Sequence, residues 1–206
     1  GMLIAKALIG WVEALPEDLQ ATVGGLTLMN EPGHMNAFKN FAAEDDIIHW
    51  LEASSQAFRQ SSLPGRGVKL YLNFIGTAFA NWKRKILPLW EGHFSREERH
   101  TWAVLDTHFY TAWDGLCDGR AGLGGAYQCD QPLPIIQEKW KICLGMFTAD
   151  FEGIVGLKAV SEYSLATYWD GRTACGDPSL LREFLGAQLE AYKERAIEPF
   201  FWTWKM

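Results

Sequence analysis

Apolar residues along the chain switch period repeatedly, from helical spacing to short β-prone runs and back, and this alternation limits the fold more than any other feature. Ile4, Ala7, Leu8, Trp11, Val12 and Leu15 recur at helical spacing up to a break near Pro16. Val23 to Met29, introduced by Gly24-Gly25 and stopped by Pro32, reads as a strand. Ile47, Ile48, Leu51 and Phe58 mark a helix over about residues 44 to 60, and Leu63-Pro64-Gly65-Arg66-Gly67 is a turn into a second strand, Val68 to Phe74. An aromatic-rich region, Phe79 to Trp90, leads to a helix-leaning Arg96 to His100 and a third strand, Ala103 to Tyr110. After a long loop to Pro134 come a helix (Ile135 to Phe151), a strand (Leu157 to Val160), a helix (Ser179 to Arg195) and a strand (Phe200 to Trp204). Strict helix and strand alternation predicts one α/β domain over residues 1–206, with parallel strands and helices outside. A doubly wound sheet and a (β/α)8 barrel both satisfy that order.

The unusual residues separate the two. Asn30-Glu31-Pro32, His108-Phe109-Tyr110, Glu162 and Trp202 all fall at strand-to-helix connections, whereas the helix-to-strand turns are plain Gly, Pro and Arg. Barrel active sites are built from strand carboxyl ends in this way. A dinucleotide-binding sheet opens with a glycine-rich loop after its first strand, and none is present; Gly122-Leu123-Gly124-Gly125 has no preceding strand. The expected fold is therefore of TIM-barrel type.

Composition narrows the chemistry. With 206 residues, 48 % hydrophobic and 21 % charged, the chain has ample material for a core, and a net charge of −6 without basic runs points away from nucleic acid and membrane surfaces. Gly1 before Met2 reads as a cloning remnant, and Lys6 and Glu13 interrupt the apolar start, so neither a signal peptide nor a membrane span is read there. Cys117, Cys129, Cys143 and Cys175 form no Cys-x-x-Cys, which leaves free thiols or one disulfide open. His93 and His100 lack a partner at metal-ligand spacing, and no Gly-x-Ser-x-Gly is present, so neither a metal, a cofactor nor a serine nucleophile is expected.

Glu31 and Glu162 each end an apolar run, 131 positions apart, and are the candidate carboxylate pair. Glycoside hydrolysis needs one carboxylic acid to protonate the leaving oxygen and one carboxylate at the anomeric carbon. A phenol such as Tyr110 can donate to the second, and tryptophan faces suit the apolar C–H faces of sugars.

The strand-end Asn30-Glu31-Pro32, the pair His108-x-Tyr110, the segment Val160 to Ala166 and the ending Phe200 to Lys205 resemble glycoside hydrolase family 5, above all its exo-β-1,3-glucanase and cellulase-like members. The resemblance runs from about residue 22 to the end and implies a retaining β-glycosidase acting on a β-glucan or oligosaccharide, secreted or extracellular. It implies Glu31 as acid/base after the fourth barrel strand and Glu162 as nucleophile after the seventh. Asn30 would bind the sugar 2-hydroxyl, His108 and Tyr110 would orient the carboxylates, and Trp202 would underlie the sugar. Two positions depart from the pattern: Ser161-Glu162-Tyr163 stands where the family has Gly-Glu-Trp, and Thr77-Ala78-Phe79 where it has Asp-Ala-Phe. Only the fourth to eighth strands have counterparts here, so a partial barrel is expected, with open edges that invite self-association.

Each residue has a plainer reading. Glu31 would then be an ordinary polar strand end, His108 a core histidine and Trp202 a core aromatic. Trp11, Trp50 and Trp140 fall on helices and are expected to pack, while Trp82, Trp90, Trp113 and Trp169 are open between sugar contact and packing. The functional alternative to hydrolysis is an inactive barrel fragment that at most binds carbohydrate.

Overall fold

The computed structural model describes residues 1–37, 41–73, 79–112, 129–167 and 175–202. Five strands, β1 (Gly25–Leu26), β2 (Lys69–Asn73), β3 (Ala103–His108), β4 (Leu157–Tyr163) and β5 (Ile197–Phe201), form one sheet in the order β1-β2-β3-β4-β5. The strands are parallel, with Leu26 opposite Leu70 and Asn73 opposite Asp106. Helical chain joins each strand to the next, as parallel neighbours require. The order follows the sequence without the reversal that defines a doubly wound sheet.

The chain divides into two compact units, residues 1–107 with 155–159, and residues 108–154 with 160–206. In the first, α1 (Met2–Glu13) buries Ala5, Ile9 and Val12 and packs against α4 (Glu44–Arg59). Between them lie the short helices α2 (Glu17–Gln20) and α3 (His34–Ala37). Gln20 is buried on α2 and donates through Nε2 to the Val12 carbonyl, 2.8 Å away, which satisfies an acceptor near the end of α1. Gly25 has no room for a side chain, since a Cβ there would come within 2.4 Å of the Tyr71 ring.

Helix α5 (Phe79–His93) carries Pro88 internally, and α6 (Arg96–Thr101) opens on a reciprocal cap. There the Glu98 amide donates to Ser95 Oγ and the Ser95 amide to Glu98 Oε2. Every residue of β3 is buried, as a central parallel strand requires. In the second unit α7 (Leu133–Ala149) packs on α8 (Pro178–Glu194), and α8 on β5. Its core is aromatic: Phe109 stacks on Phe147 at 3.9 Å, Trp140 meets Phe184, and Tyr163 meets Tyr192 edge-on.

Several expectations change. The first strand is two residues long instead of Val23 to Met29, because the backbone bends over residues 28–30 before Glu31. The strand placed at Leu157 to Val160 continues to Tyr163, so Glu162 lies inside β4. The last strand starts at Ile197 instead of Phe200. Phe79 to Trp90 belongs to a helix. Trp11 is 60 % exposed and does not pack, whereas Trp140 is buried as expected. Trp90 is core: its indole N–H donates to the Val155 carbonyl at 3.2 Å. Cys129 and Cys175 form a disulfide, and no described cysteine is free, which removes the free-thiol alternative for this pair. Thr77, Ala78, Trp113, Cys117, Gly122-Leu123-Gly124-Gly125, Trp169 and Thr203-Trp204-Lys205 lie outside the described residues.

Candidate functional site

The candidate residues fall into two groups, one in each unit. In the second unit, Glu162 is the penultimate residue of β4, and its side chain is 16 % exposed. Its main-chain carbonyl accepts from the Phe109 amide at 2.9 Å, which fixes the strand at that level. The Tyr110 hydroxyl donates to Glu162 Oε2 at 2.6 Å. His108 Nδ1 lies 3.2 Å from the same oxygen, on a ring that is almost wholly buried. Alternation along an extended segment explains the pairing: residues 108 and 110 share a face, while Phe109 points the other way onto Phe147. Tyr110 and His108 were both singled out in the sequence, and both meet Glu162.

The hydroxyl that donates to this oxygen, with the imidazole nitrogen beside it, favours a single orientation of the carboxylate. A short bond from a neutral hydroxyl to a carboxylate belongs to the stronger class of hydrogen bond. Trp202 follows β5 directly; its amide donates to the Tyr163 carbonyl at 2.8 Å, and its side chain is 53 % exposed. The core alternative for Trp202 therefore does not hold. The exposed ring leaves an apolar face available to a ligand.

In the first unit, Glu31 stands just past the bend that ends β1, with φ at 45°. That left-handed conformation is uncommon for any residue but glycine. Its amide donates to Asn73 Oδ1 at 2.8 Å, and Asn73 Nδ2 donates to Asp106 Oδ2 at 3.0 Å; Asn73 and Asp106 are both buried. The Glu31 carboxylate meets His34 Nδ1 at 2.8 Å, because His34 opens α3 one turn further on. Pro32 and Gly33 between them are buried. Asn30 is exposed in the bend beside Glu31.

Sequence reasoning missed Asn73, Asp106 and His34. The signal was there for the first two: each is a polar residue that ends an apolar run, Leu70-Tyr71-Leu72-Asn73 and Val104-Leu105-Asp106, the same mark that singled out Glu31. His34 was legible only as a neighbour at i+3 of a residue not expected to begin a helical turn.

Chemically, the second-unit group is an oriented carboxylate with a buried imidazole and a phenol beside it, and an exposed indole follows the neighbouring strand β5. The first-unit group is a carboxylate held by its main chain on a buried amide and carboxylate. No protein-family model matches the chain, and no characterised protein matches it in sequence.

Proposed function

We propose that the chain is a retaining β-glycosidase of the glycoside hydrolase family 5 kind, with its sheet a portion of a (β/α)8 barrel. Glu162 is the nucleophile and Glu31 the acid/base. The observation that carries the reading is the 2.6 Å hydrogen bond from Tyr110 to Glu162 at the carboxyl end of a parallel strand, with His108 on the same oxygen. An oxygen bonded in that way is kept in one orientation, which attack at an anomeric carbon requires. Trp202 is the sugar platform, Asn30 the partner of the 2-hydroxyl, and the substrate a β-glucan or oligosaccharide.

The mechanism runs by double displacement. Glu31 protonates the departing oxygen while Glu162 attacks C1 to form a glycosyl ester; Glu31 then takes a proton from water as that water displaces Glu162. Retention by this route requires the two carboxyl groups to stand about 5–5.5 Å apart during turnover. Hydrolysis of an aryl β-glucoside, followed by NMR of the first-formed sugar, tests the scheme. The β-anomer is expected first, and the α-anomer would rule out double displacement.

One observation favours a second reading, carbohydrate binding without hydrolysis. Phe200, Phe201 and Trp202 are consecutive aromatics that all remain substantially exposed at β5. Such a surface binds sugars whether or not the carboxylates react. Oligosaccharide binding by calorimetry with no turnover would select this reading.

A further inference from the structure

Glu31 combines two properties that conflict in an isolated loop. It must present its carboxyl in one direction to serve as an acid, yet it sits at φ 45°, where a non-glycine residue persists only if its surroundings hold it. The segment from the end of β1 to α3 is short of regular pairing: residues 27–33 belong to no strand or helix. The Glu31 carbonyl accepts from the His34 amide at 2.9 Å inside the turn that Glu31 opens, and what ties its main chain to the sheet is the hydrogen bond from its amide to Asn73 Oδ1.

That acceptor is fixed. Asn73 is the last residue of β2, directly opposite Asp106 of β3 in the parallel register, and its side-chain amide donates to Asp106 Oδ2 at 3.0 Å. An Asn amide presents oxygen on one side and nitrogen on the other. Occupying the nitrogen with Asp106 directs the oxygen to the Glu31 amide. Both side chains are almost wholly buried, so neither bond is exchanged readily for one to water.

We infer that Asn73, oriented by Asp106, is a positioning residue that locks the acid/base Glu31 in its strained conformation. Neither side chain touches substrate; each acts through the Glu31 main chain. The inference rests on the glycosidase reading for the acid role of Glu31, and on geometry alone for the anchoring.

The two parts are tested separately. Amide exchange followed by NMR reads the anchoring: the Glu31 amide is expected to exchange about tenfold faster or more in Asn73→Ala and in Asp106→Ala. In Asp106→Asn, which keeps an acceptor oxygen for Asn73 Nδ2, exchange stays within about threefold of the unaltered chain. An unchanged Glu31 amide in Asn73→Ala overturns the anchoring.

The acid role is read from leaving groups. A 4-methoxyphenyl β-glucoside needs protonation to depart and a 2,4-dinitrophenyl β-glucoside does not. Asn73→Ala is therefore expected to shift the ratio of kcat/KM for the two by about tenfold or more, with the loss falling on the poorer leaving group. Equal loss on both substrates, the result of general damage to the fold, overturns the acid role. No hydrolysis of either by the unaltered chain removes the glycosidase reading and the acid role with it, while the exchange comparison still decides the anchoring.

Discussion

Glu162 owes its place in the proposed mechanism to its neighbours more than to its own position. A strand-end glutamate alone is commonplace, but one whose Oε2 lies 2.6 Å from a phenol and 3.2 Å from a buried imidazole nitrogen is not an ordinary surface carboxylate. A hydrogen bond to a charged group contributes about 1.5–3 kcal/mol, so Tyr110→Phe is expected to lower kcat/KM by roughly ten- to hundredfold if the bond strengthens in the transition state. A change below about twofold would show that Tyr110 is a packing residue, as its near-complete burial also allows. In the same assay a 2-deoxy-2-fluoro glucoside should label Glu162, and Glu162→Gln should abolish the label; a label mapped elsewhere in a competent enzyme would sink the nucleophile assignment. At this scale the sequence was legible wherever a polar side chain stood beside an unmistakable neighbour: Glu31 before Pro32, and His108 two residues from Tyr110. Asn73 and Asp106 carried the same local mark, a polar residue ending an apolar run, but their pairing exists only across the sheet, where the parallel register puts them opposite each other. No local pattern encodes that register.

Elements were legible in proportion to their length and periodicity. Helices α4, α7 and α8 each run sixteen or seventeen residues with a buried stripe, and period alone locates them. Helix α5 was less visible, because Pro88 reads as a breaker and the surrounding aromatics blur the apolar face. β1 is shorter than its sequence suggests: the apolar, β-prone run extends to Met29, but pairing stops at Leu26. Two elements also carry sharp tests. Before β4, Gly156 has φ 120°, and a Cβ there would lie 2.5 Å from the Arg99 carbonyl oxygen at the end of α6. Both the backbone and the space demand glycine, so Gly156→Ala is expected to cost about 1–3 kcal/mol in urea unfolding. A cost under about 0.5 kcal/mol would mean that the contact relaxes freely. The junction of α4, α5 and α6 is the second. Arg59 pairs with Glu98, donates to the His93 carbonyl and lies over the Phe94 and Trp102 rings, while Ser55 Oγ lies 2.8 Å from His93 Nε2. Burial, seconded by the Arg59 charge, holds His93 below its ordinary value. Burial pushes Glu98 the other way, but hydrogen bonds from Arg59 and the Ser95 amide leave its carboxyl below the usual range. In both cases the unfolded chain binds protons more readily, so stability is full above the unfolded values and falls as the pH drops through them. Thermal midpoints are expected to fall first below about pH 6.5, from His93, and again below about 4.5, from Glu98. His93→Gln should flatten the upper step, and an unchanged profile would remove His93 as its source.

At the scale of the molecule, each unit has its own core, and each helix belongs to one unit. The first unit closes on side chains from successive helices, among them Ile9, Leu51, Phe58, Trp90 and Trp102. Among the described residues the second has fewer elements, and it carries a covalent tie: Cys129, four residues before α7, is joined to Cys175, just before α8. The Cys175 end is seated in the fold, for it is buried and its amide donates to Thr167 Oγ1 at 2.8 Å; the Cys129 end is exposed. Closing a loop with a sequence separation of 46 removes chain entropy from the unfolded state. On the chain-entropy account that contributes about 4 kcal/mol, a large share of the roughly 5–15 kcal/mol by which domains are stable. Cysteine spacing could not supply this pairing, since any of the four residues was open to bonding with any other. The double variant Cys129→Ala, Cys175→Ala is therefore expected to melt about 8–16 °C below the unaltered chain. Because the tie lies within one unit, amide protection should fall in α7 and α8 before it falls in α1 and α4. A melting temperature within about 2 °C of the original would mean that the bond adds little to a segment already fixed by Thr167 and by the packing of α7 on α8. An equal loss of protection in α1 and α4 would mean that the two units unfold as one.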